Sequence, residues 1–138
     1  MDKANFENLQ VFQLSEKLAD LIWDVVIQWN QLEKDTVGKQ IIRAADSIGA
    51  NIAERSGRHN FQDNQRFVKI ARGSLHETRY WLRRAYNRKL LTNEQIDGLK
   101  VILNELSPKL NAYLTYLDNA SKKQKRPPKS QKQLTTNN

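Results

Sequence analysis

Hydrophobic residues recur at intervals of three and four positions in four separate segments of the chain, which is the pattern of amphipathic α-helices. These segments span residues 6–29, 36–55, 61–91 and 96–117, and short polar stretches separate them. The chain of 138 residues contains only 5 glycines and 3 prolines, so its composition also favours helix. The pattern therefore predicts an all-α protein, folded as an antiparallel up-down-up-down four-helix bundle.

The polar stretches between the segments carry signals for helix ends. Thr92 and Gln95 have the spacing of a capping box, which predicts that the fourth helix begins beside Thr92. Asp35 or Thr36 is the expected N-cap of the second helix, after a turn over residues 30–35. Pro108 lies inside the hydrophobic repeat of the fourth helix. Because the repeat continues beyond this proline, we expect a kink there and not a helix end.

The third segment combines an apolar face with a cationic one. At 100° per residue, its apolar or small side chains share one side: Phe67, Ile70, Ala71, Ser74, Leu75, Thr78, Trp81, Leu82 and Ala85. Cations occupy the far side and its borders: Lys69, Arg72, Arg79, Arg83, Arg84 and Arg88. Residues 65–89 hold eight Lys or Arg against one acid, Glu77, so salt bridges within the helix cannot neutralise the charge.

Two interpretations of this cationic face stay open. A run of charge on a helix is commonly a solvated outer surface. The alternative is contact with nucleic acid or another polyanion, because guanidinium groups and interleaved rings such as Tyr80 and Tyr86 suit phosphates and unstacked bases. On the second interpretation, the six cations of the third helix are the candidate nucleic-acid-binding residues.

The net charge of +8 is concentrated in the second half of the chain. Residues 1–60 carry seven basic and nine acidic side chains, residues 61–120 carry ten and six, and residues 121–138 carry six and none. The last segment contains two prolines and almost no apolar residue, which predicts a bundle of residues 1–120 followed by a disordered basic tail of residues 121–138. The tail either solubilises the protein or adds phosphate contacts through Lys122, Lys123, Lys125 and Arg126.

The second segment carries polar positions beside its apolar face, among them Ser47 and Asn51. They are either surface residues or members of a buried hydrogen-bond network with Ser74 or Glu77 on the third helix. Buried polar groups need partners, so such a network would fix the register of the two helices.

The sequence offers little that an enzyme or a cofactor site could use. It contains no cysteine, and its two histidines, His59 and His76, are too far apart for a persuasive zinc site. No glycine-rich phosphate loop and no Ser-His-Asp set is recognisable. We therefore expect no catalysis, no metal and no cofactor. No apolar run approaches the ~20 residues of a membrane span and no signal peptide opens the chain, so we expect a cytoplasmic protein without membrane contact.

Two stretches of the sequence resemble a known family. They are QIIRAADSIGANIAERSGR, from Gln40 to Arg58, and FVKIARGSLHETRYWL, from Phe67 to Leu82. Together with FENLQVFQLSEKLA at residues 6–19, they are similar to the bacterial four-helix-bundle family first noted in intervening sequences of 23S ribosomal RNA genes. The resemblance covers residues 6–118. The chain departs from the family at Gly49, where the family often has proline, and at Arg55, where it often has glycine.

The resemblance implies a homopentameric ring with a basic surface. The run Tyr80-Trp81-Leu82-Arg83 resembles one branch in particular, the accessory variability determinant proteins of diversity-generating retroelements. Members of that branch partner a reverse transcriptase and bind nucleic acid while a template RNA is copied. The resulting hypothesis is an accessory protein that binds template RNA or RNA–DNA duplex. The alternative is a protein–protein assembly module of the intervening-sequence type, with no direct role in nucleic-acid binding.

Overall fold

The computed structural model of the protein describes the backbone of residues 3–56 and 60–125, and the side chains of residues 8–54 and 60–123. Within these ranges the chain is helical and contains no strand. Four long helices dominate: α1 (Lys3–Val26), α2 (Lys39–Ser56), α3 (Phe61–Asn87) and α4 (Asn93–Lys125). Helices α1 and α3 each pack against both α2 and α4. The predicted all-α, four-helix architecture is confirmed.

The core lies along the shared axis of the four helices and receives apolar side chains from each. Its most deeply buried members are Val11, Leu18, Ile22, Ile41, Ala45, Ile48, Ile52, Val68, Ala71, Leu106, Leu110, Tyr113 and Leu117. Each buried Val, Leu or Ile stabilises the fold by roughly 1.5–3 kcal/mol relative to exposure. The three-four spacing seen in the sequence of α4 therefore marks the side of that helix that faces the core.

The α1–α2 junction differs from the predicted turn. The backbone is already helical over Gln31–Glu33, and a π-helical turn over Lys34–Gly38 follows before α2 begins. Thr36 does not cap a helix; its Oγ1 donates a hydrogen bond to the carbonyl of Leu32 (2.8 Å). The N-cap position belongs to Asn30, whose side chain makes no capping hydrogen bond. The prediction of a cap at residue 35 or 36 was therefore wrong.

Gly38 explains part of this local geometry. A Cβ atom at Gly38 would lie 2.7 Å from Cγ1 of the buried Val26 and 3.1 Å from the carbonyl oxygen of Glu33. Only glycine allows the end of α1 to approach this turn so closely. The indole Nε1 of Trp29, just after α1, then donates a hydrogen bond to the carbonyl of Leu90 (3.0 Å), which ties this end of the bundle to the α3–α4 connection.

The ends of α3 and α4 follow local capping rules. The predicted capping box of α4 is present: the amide of Thr92 donates to Gln95 Oε1 (2.9 Å) and the amide of Gln95 donates to Thr92 Oγ1 (3.1 Å). At the end of α3, Lys89 has a φ of 60°, in the left-handed region. The amide of Leu90 donates to the carbonyl of Ala85 (2.9 Å), which is the hydrogen bond of a Schellman ending.

Helix α4 continues through Pro108 to Lys125, as the uninterrupted repeat predicted. Proline cannot donate to the carbonyl of Asn104, but both residues are exposed and water can satisfy that carbonyl. The helix also extends beyond residue 120, where the bundle was predicted to end, and Ser121 is buried. The remainder of the predicted tail, residues 126–138, lies outside the described residues and stays a prediction. None of the helices in the described parts of the chain has the length and apolar character that a membrane span requires.

Candidate nucleic-acid interface

Helix α3 is positioned by its N-cap residue and by its buried side. The side chain of Asn60 caps the helix, because its Oδ1 accepts hydrogen bonds from the amides of Gln62 (2.7 Å) and Asp63 (3.1 Å). The buried side chains then fix the rotation of the helix about its axis. They are Asn64, Val68, Ala71, Leu75, Thr78, Leu82 and Ala85. The opposite side of α3 must therefore face away from the bundle.

The buried side is rotated relative to the predicted apolar face. Ile70, which was placed on that face, is 47% exposed, whereas Val68 is fully buried. Val68, Leu75 and Leu82 form a row spaced seven residues apart, and this row points into the core. The predicted apolar face includes Leu75 and Leu82, which are buried, but it omits Val68.

The outer side of α3 carries the cationic band, which we define as Lys69, Arg72, Arg79, Arg83, Arg84 and Arg88. Lys69, Arg72, Arg83 and Arg88 are exposed, and Arg79 and Arg84 are partly buried. At 1.5 Å per residue, the band extends for about 28 Å along the helix. At 100° per residue the six positions cover about half of the helix circumference, with Arg79 and Arg83 on the side towards α4.

None of the six cations makes an ion pair with another described residue. Sequence spacing explains why Glu77 cannot neutralise them. The positions three and four residues away from Glu77 are Ser74, Gly73, Tyr80 and Trp81, and none of these carries a charge. The positive charge of the band is thus left to solvent or to a partner.

Aromatic side chains accompany the band. Tyr80 lies between the cations on the helix surface and is 51% exposed, and Tyr86 is 58% exposed. The ring of Trp81 is half-buried and packs edge-on against Tyr80, with 5.0 Å between the ring centroids. Exposed phenol rings beside guanidinium groups can stack on unpaired bases.

A groove between α1 and α2 is acidic. Helices α1 and α2 form a shallow groove lined by Glu16, Asp20 and Asp46 among small residues. Burial and the nearby charge of Asp20 raise the pKa of Asp46 above its ordinary value. This uneven distribution of charge would orient a polyanion towards α3 and away from α1 and α2.

A second concave surface lies between α3 and α4, which we call the α3–α4 groove. It encloses about 790 Å³. Its residues are Arg79, Leu82, Arg83, Tyr86, Leu91, Asn93, Ile96, Asp97, Leu99, Lys100 and Leu103. No local sequence motif predicts this groove, because it is formed jointly by residues of two helices and the connection between them.

Three of the four predicted network residues share hydrogen bonds between α2 and α3. Ser74 Oγ donates to Ser47 Oγ (2.9 Å), and Asn51 Nδ2 donates to both the carbonyl (2.8 Å) and the Oγ (3.1 Å) of Ser47. Glu77 is exposed, and no hydrogen bond joins it to the other three among the described residues. The network fixes the register of the helix that carries the cationic band.

The candidate cations of the tail divide into two groups. Lys122 and Lys123 are exposed on the last turn of α4. Because α4 runs antiparallel to α3, they lie towards the end of the bundle where α3 begins. The side chains of Lys125 and Arg126 lie outside the described residues. In the described parts of the chain, no group of three or more His, Asp or Glu side chains is arranged to hold a metal.

Comparison with known proteins identifies the family of this chain. Residues 7–112 match the model of the 23S rRNA-intervening sequence proteins. The chain belongs to the 23S rRNA-intervening sequence protein family. No curated protein sequence matches it.

A solved relative of this 23S rRNA-intervening sequence protein has the same fold. It is a protein of unknown function from the S23 ribosomal protein family of Bacteroides thetaiotaomicron VPI-5482, whose crystal structure was determined at 1.70 Å resolution. The two chains share 26% sequence identity and superpose with a TM-score of 0.72, over 79% of this chain and 98% of the relative. The similarity thus supports the fold and the family, and it leaves the function to be argued from the surface.

The two sequence stretches that resemble the 23S rRNA-intervening sequence proteins meet in the structure. One supplies Ser47 on α2 and the other supplies Ser74 on α3, and the hydrogen bond between these serines joins them. The resemblance therefore includes residues that hold α3 in place, and the second stretch also carries Lys69, Arg72 and Arg79 of the cationic band.

Proposed function

We propose that this chain is a non-catalytic accessory protein that binds nucleic acid through the cationic band of α3. The observation that carries the proposal is that the six cations lie on the outward half of α3 without an ion-pair partner among the described residues. The phosphates of a nucleic-acid backbone form a regular row of such partners. Contact between these phosphates and the cations of the protein releases condensed counterions.

The proposed ligand is RNA or an RNA–DNA duplex, bound mainly through its phosphates. A band of about 28 Å is long enough to contact several successive phosphates of one duplex strand. The band is rich in arginine, whose planar fork suits phosphate oxygens. No motif for reading base edges is present, so specificity would come from duplex shape or from a protein partner.

The proposed partner is a reverse transcriptase of a diversity-generating retroelement. This part of the proposal is supported by the resemblance of residues 80–83 to the accessory proteins of those elements. A homopentameric ring is part of the same proposal, since it would repeat the band and raise the overall affinity through multivalency. The apolar side chains of Trp23 and Ile27, which are about half exposed on the outside of the bundle, would suit a contact between subunits.

The test is the affinity of a charge-reversed band for labelled duplexes. Lys69→Glu combined with Arg72→Glu changes two exposed cations that lie outside the α3–α4 groove. Fluorescence anisotropy should be measured with an RNA duplex and an RNA–DNA hybrid of about 20 base pairs, between 50 and 200 mM salt. We expect affinity to fall at least about tenfold at 100 mM salt, and the slope of log K against log salt to decrease in magnitude by about 2.

The matched control is Lys17→Glu combined with Lys39→Glu. It makes the same change in net charge at two exposed lysines on the other side of the bundle. If both double variants weaken binding equally, net charge alone attracts the duplex and the assignment to α3 is wrong. Absence of binding by the unmodified chain at 50 mM salt would contradict the proposal as a whole.

A further inference from the structure

The α3–α4 groove has an aliphatic floor between two polar walls. The floor is formed by Leu82, Leu91, Ile96, Leu99 and Leu103. Leu82, Leu99 and Leu103 belong to the bundle core, and Leu91 and Ile96 are partly buried beside it. The floor of the groove is therefore the outer layer of the core between α3 and α4.

The walls of the groove carry an excess of positive charge. Arg79 and Arg83 stand on α3, and Lys100 stands on α4, with Asp97 as the only acid among the lining residues. No salt bridge joins Asp97 to any of these cations. Tyr86, 58% exposed, completes the wall on the α3 side.

The dimensions of the groove suit a short helix. Its α3 wall runs from residue 79 to residue 86 and its α4 wall from residue 93 to residue 103, which correspond to about 10 and 15 Å of helix. These lengths equal two to three turns, which is the span of three anchoring side chains at positions i, i+4 and i+7.

We propose that the α3–α4 groove docks an acidic amphipathic helix of a partner protein. Its aliphatic side chains would fill the floor, and its carboxylates would meet Arg79, Arg83 and Lys100. The floor of leucine and isoleucine offers no aromatic plane on which a nucleobase could stack, and Tyr86 on the wall is the one aromatic ring among the lining residues. The floor therefore suits aliphatic side chains. The chain's own residues 126–138 do not fit, because they contain three cations and no acid and would be repelled by the walls.

Nucleic-acid binding through phosphates does not require this groove. Phosphate contacts need exposed cations, and they need no apolar floor. Four exposed groove residues, Tyr86, Asn93, Asp97 and Lys100, do not belong to the cationic band, so the groove can be altered without replacing a band cation. The inference does not rest on the proposed function.

The test uses a defined synthetic peptide and a pair of matched variants. The peptide has about 14 residues, with leucines at i, i+4 and i+7 and glutamates on the other sides. The groove variant is Lys100→Glu with Tyr86→Ala. The control is Lys69→Glu with Tyr80→Ala, which makes the same chemical change on the band outside the groove. All four side chains are exposed, so circular dichroism should show unchanged helicity.

We expect the peptide to bind the unmodified chain in a fluorescence anisotropy titration. The groove variant should weaken peptide binding about tenfold, and the control should change it less than about twofold. Backbone amide shifts of the ¹⁵N-labelled chain should move at Tyr86, Asn93 and Lys100. A peptide with lysine in place of every glutamate should not bind.

Three outcomes would overturn the inference. The first is that the glutamate peptide fails to bind or that the lysine peptide binds equally well. The second is that the groove variant weakens binding of an RNA duplex and not of the peptide, which would assign the groove to nucleic acid. The third is that the groove variant, without peptide, lowers the oligomer size seen by analytical ultracentrifugation, which would assign the groove to a second copy of this chain.

Discussion

Helix α1 approaches the π-helical turn closely at Gly38, and the substitution Gly38→Ala tests whether this close approach requires glycine. The added Cβ would lie 2.7 Å from Val26 Cγ1 and 3.6 Å from Trp29 Cε3. Carbon atoms pack best at about 3.5–4.0 Å, so the first of these contacts is too short by roughly 1 Å. Gly38 does not have a positive φ, and any destabilisation must therefore come from overlap and not from the backbone conformation.

The expected magnitude combines two opposing effects. Overpacking of a core position typically destabilises a protein by about 1–3 kcal/mol. Alanine is favoured over glycine in a helix by up to about 1 kcal/mol. We expect Gly38→Ala to lower the free energy of unfolding by about 1–2 kcal/mol, measured by urea denaturation and followed by circular dichroism.

A double-mutant cycle identifies the cause. Val26→Ala removes the overlapping methyl group and should cost about 2 kcal/mol by itself, because Val26 is 3% exposed. With Gly38→Ala also present, the 2.7 Å overlap with Val26 disappears and the 3.1 Å contact with the carbonyl oxygen of Glu33 stays. The double variant should therefore be about 1 kcal/mol more stable than the sum of the single effects predicts. Gly98→Ala is the matched control, since its Cβ would meet only Leu21 Cδ2 at an ordinary 3.7 Å. It should be neutral or stabilising. Additivity of Gly38→Ala and Val26→Ala within about 0.5 kcal/mol would refute this explanation of the glycine.

Two further predictions concern the tail and the end of α3. A chain ending at Lys125 keeps the whole of α4 and lacks three cations. It should still bind duplex RNA, and the slope of log K against log salt should decrease in magnitude by no more than about 3. Loss of all binding would show that the band of α3 is a solvated surface. Lys89→Gly should raise the free energy of unfolding by about 0.5–1 kcal/mol in the same urea assay, because glycine adopts the observed φ of 60° without strain. A destabilised variant would contradict this description of the end of α3.

The sequence predicted those parts of the fold that depend on residues close together in the chain. The three-four repeat of α4 placed Leu106, Leu110 and Leu117 in the core because a single helix fixes their relative positions. The spacing of Thr92 and Gln95 predicted the start of α4 because a capping box closes within one turn. The number and type of helices followed from the same periodicity.

Features that depend on tertiary contacts were less predictable. The α1–α2 junction differs from the predicted turn because a π-helical turn does not follow the three-four spacing. The predicted apolar face of α3 is rotated relative to the buried side, because Ile70 and Val68 lie at opposite edges of the same apolar surface. Packing against α2 and α4 decides which of the two is buried. The α3–α4 groove has no signal in either helix alone, since its depth depends on the distance between them.

The geometry also links the two proposed activities. Arg79 and Arg83 belong both to the cationic band and to the walls of the α3–α4 groove. An acidic helix seated in the groove would place its carboxylates against these two guanidinium groups and leave four of the six band cations for phosphates. The loss of two phosphate contacts corresponds to a decrease of about 2 in the magnitude of the salt slope. Because coupling between two ligands is reciprocal, bound nucleic acid would weaken the docking of the acidic helix by the same factor. A protein built in this way would release its partner helix as it takes up nucleic acid, and Arg79 and Arg83 would set the strength of that exchange.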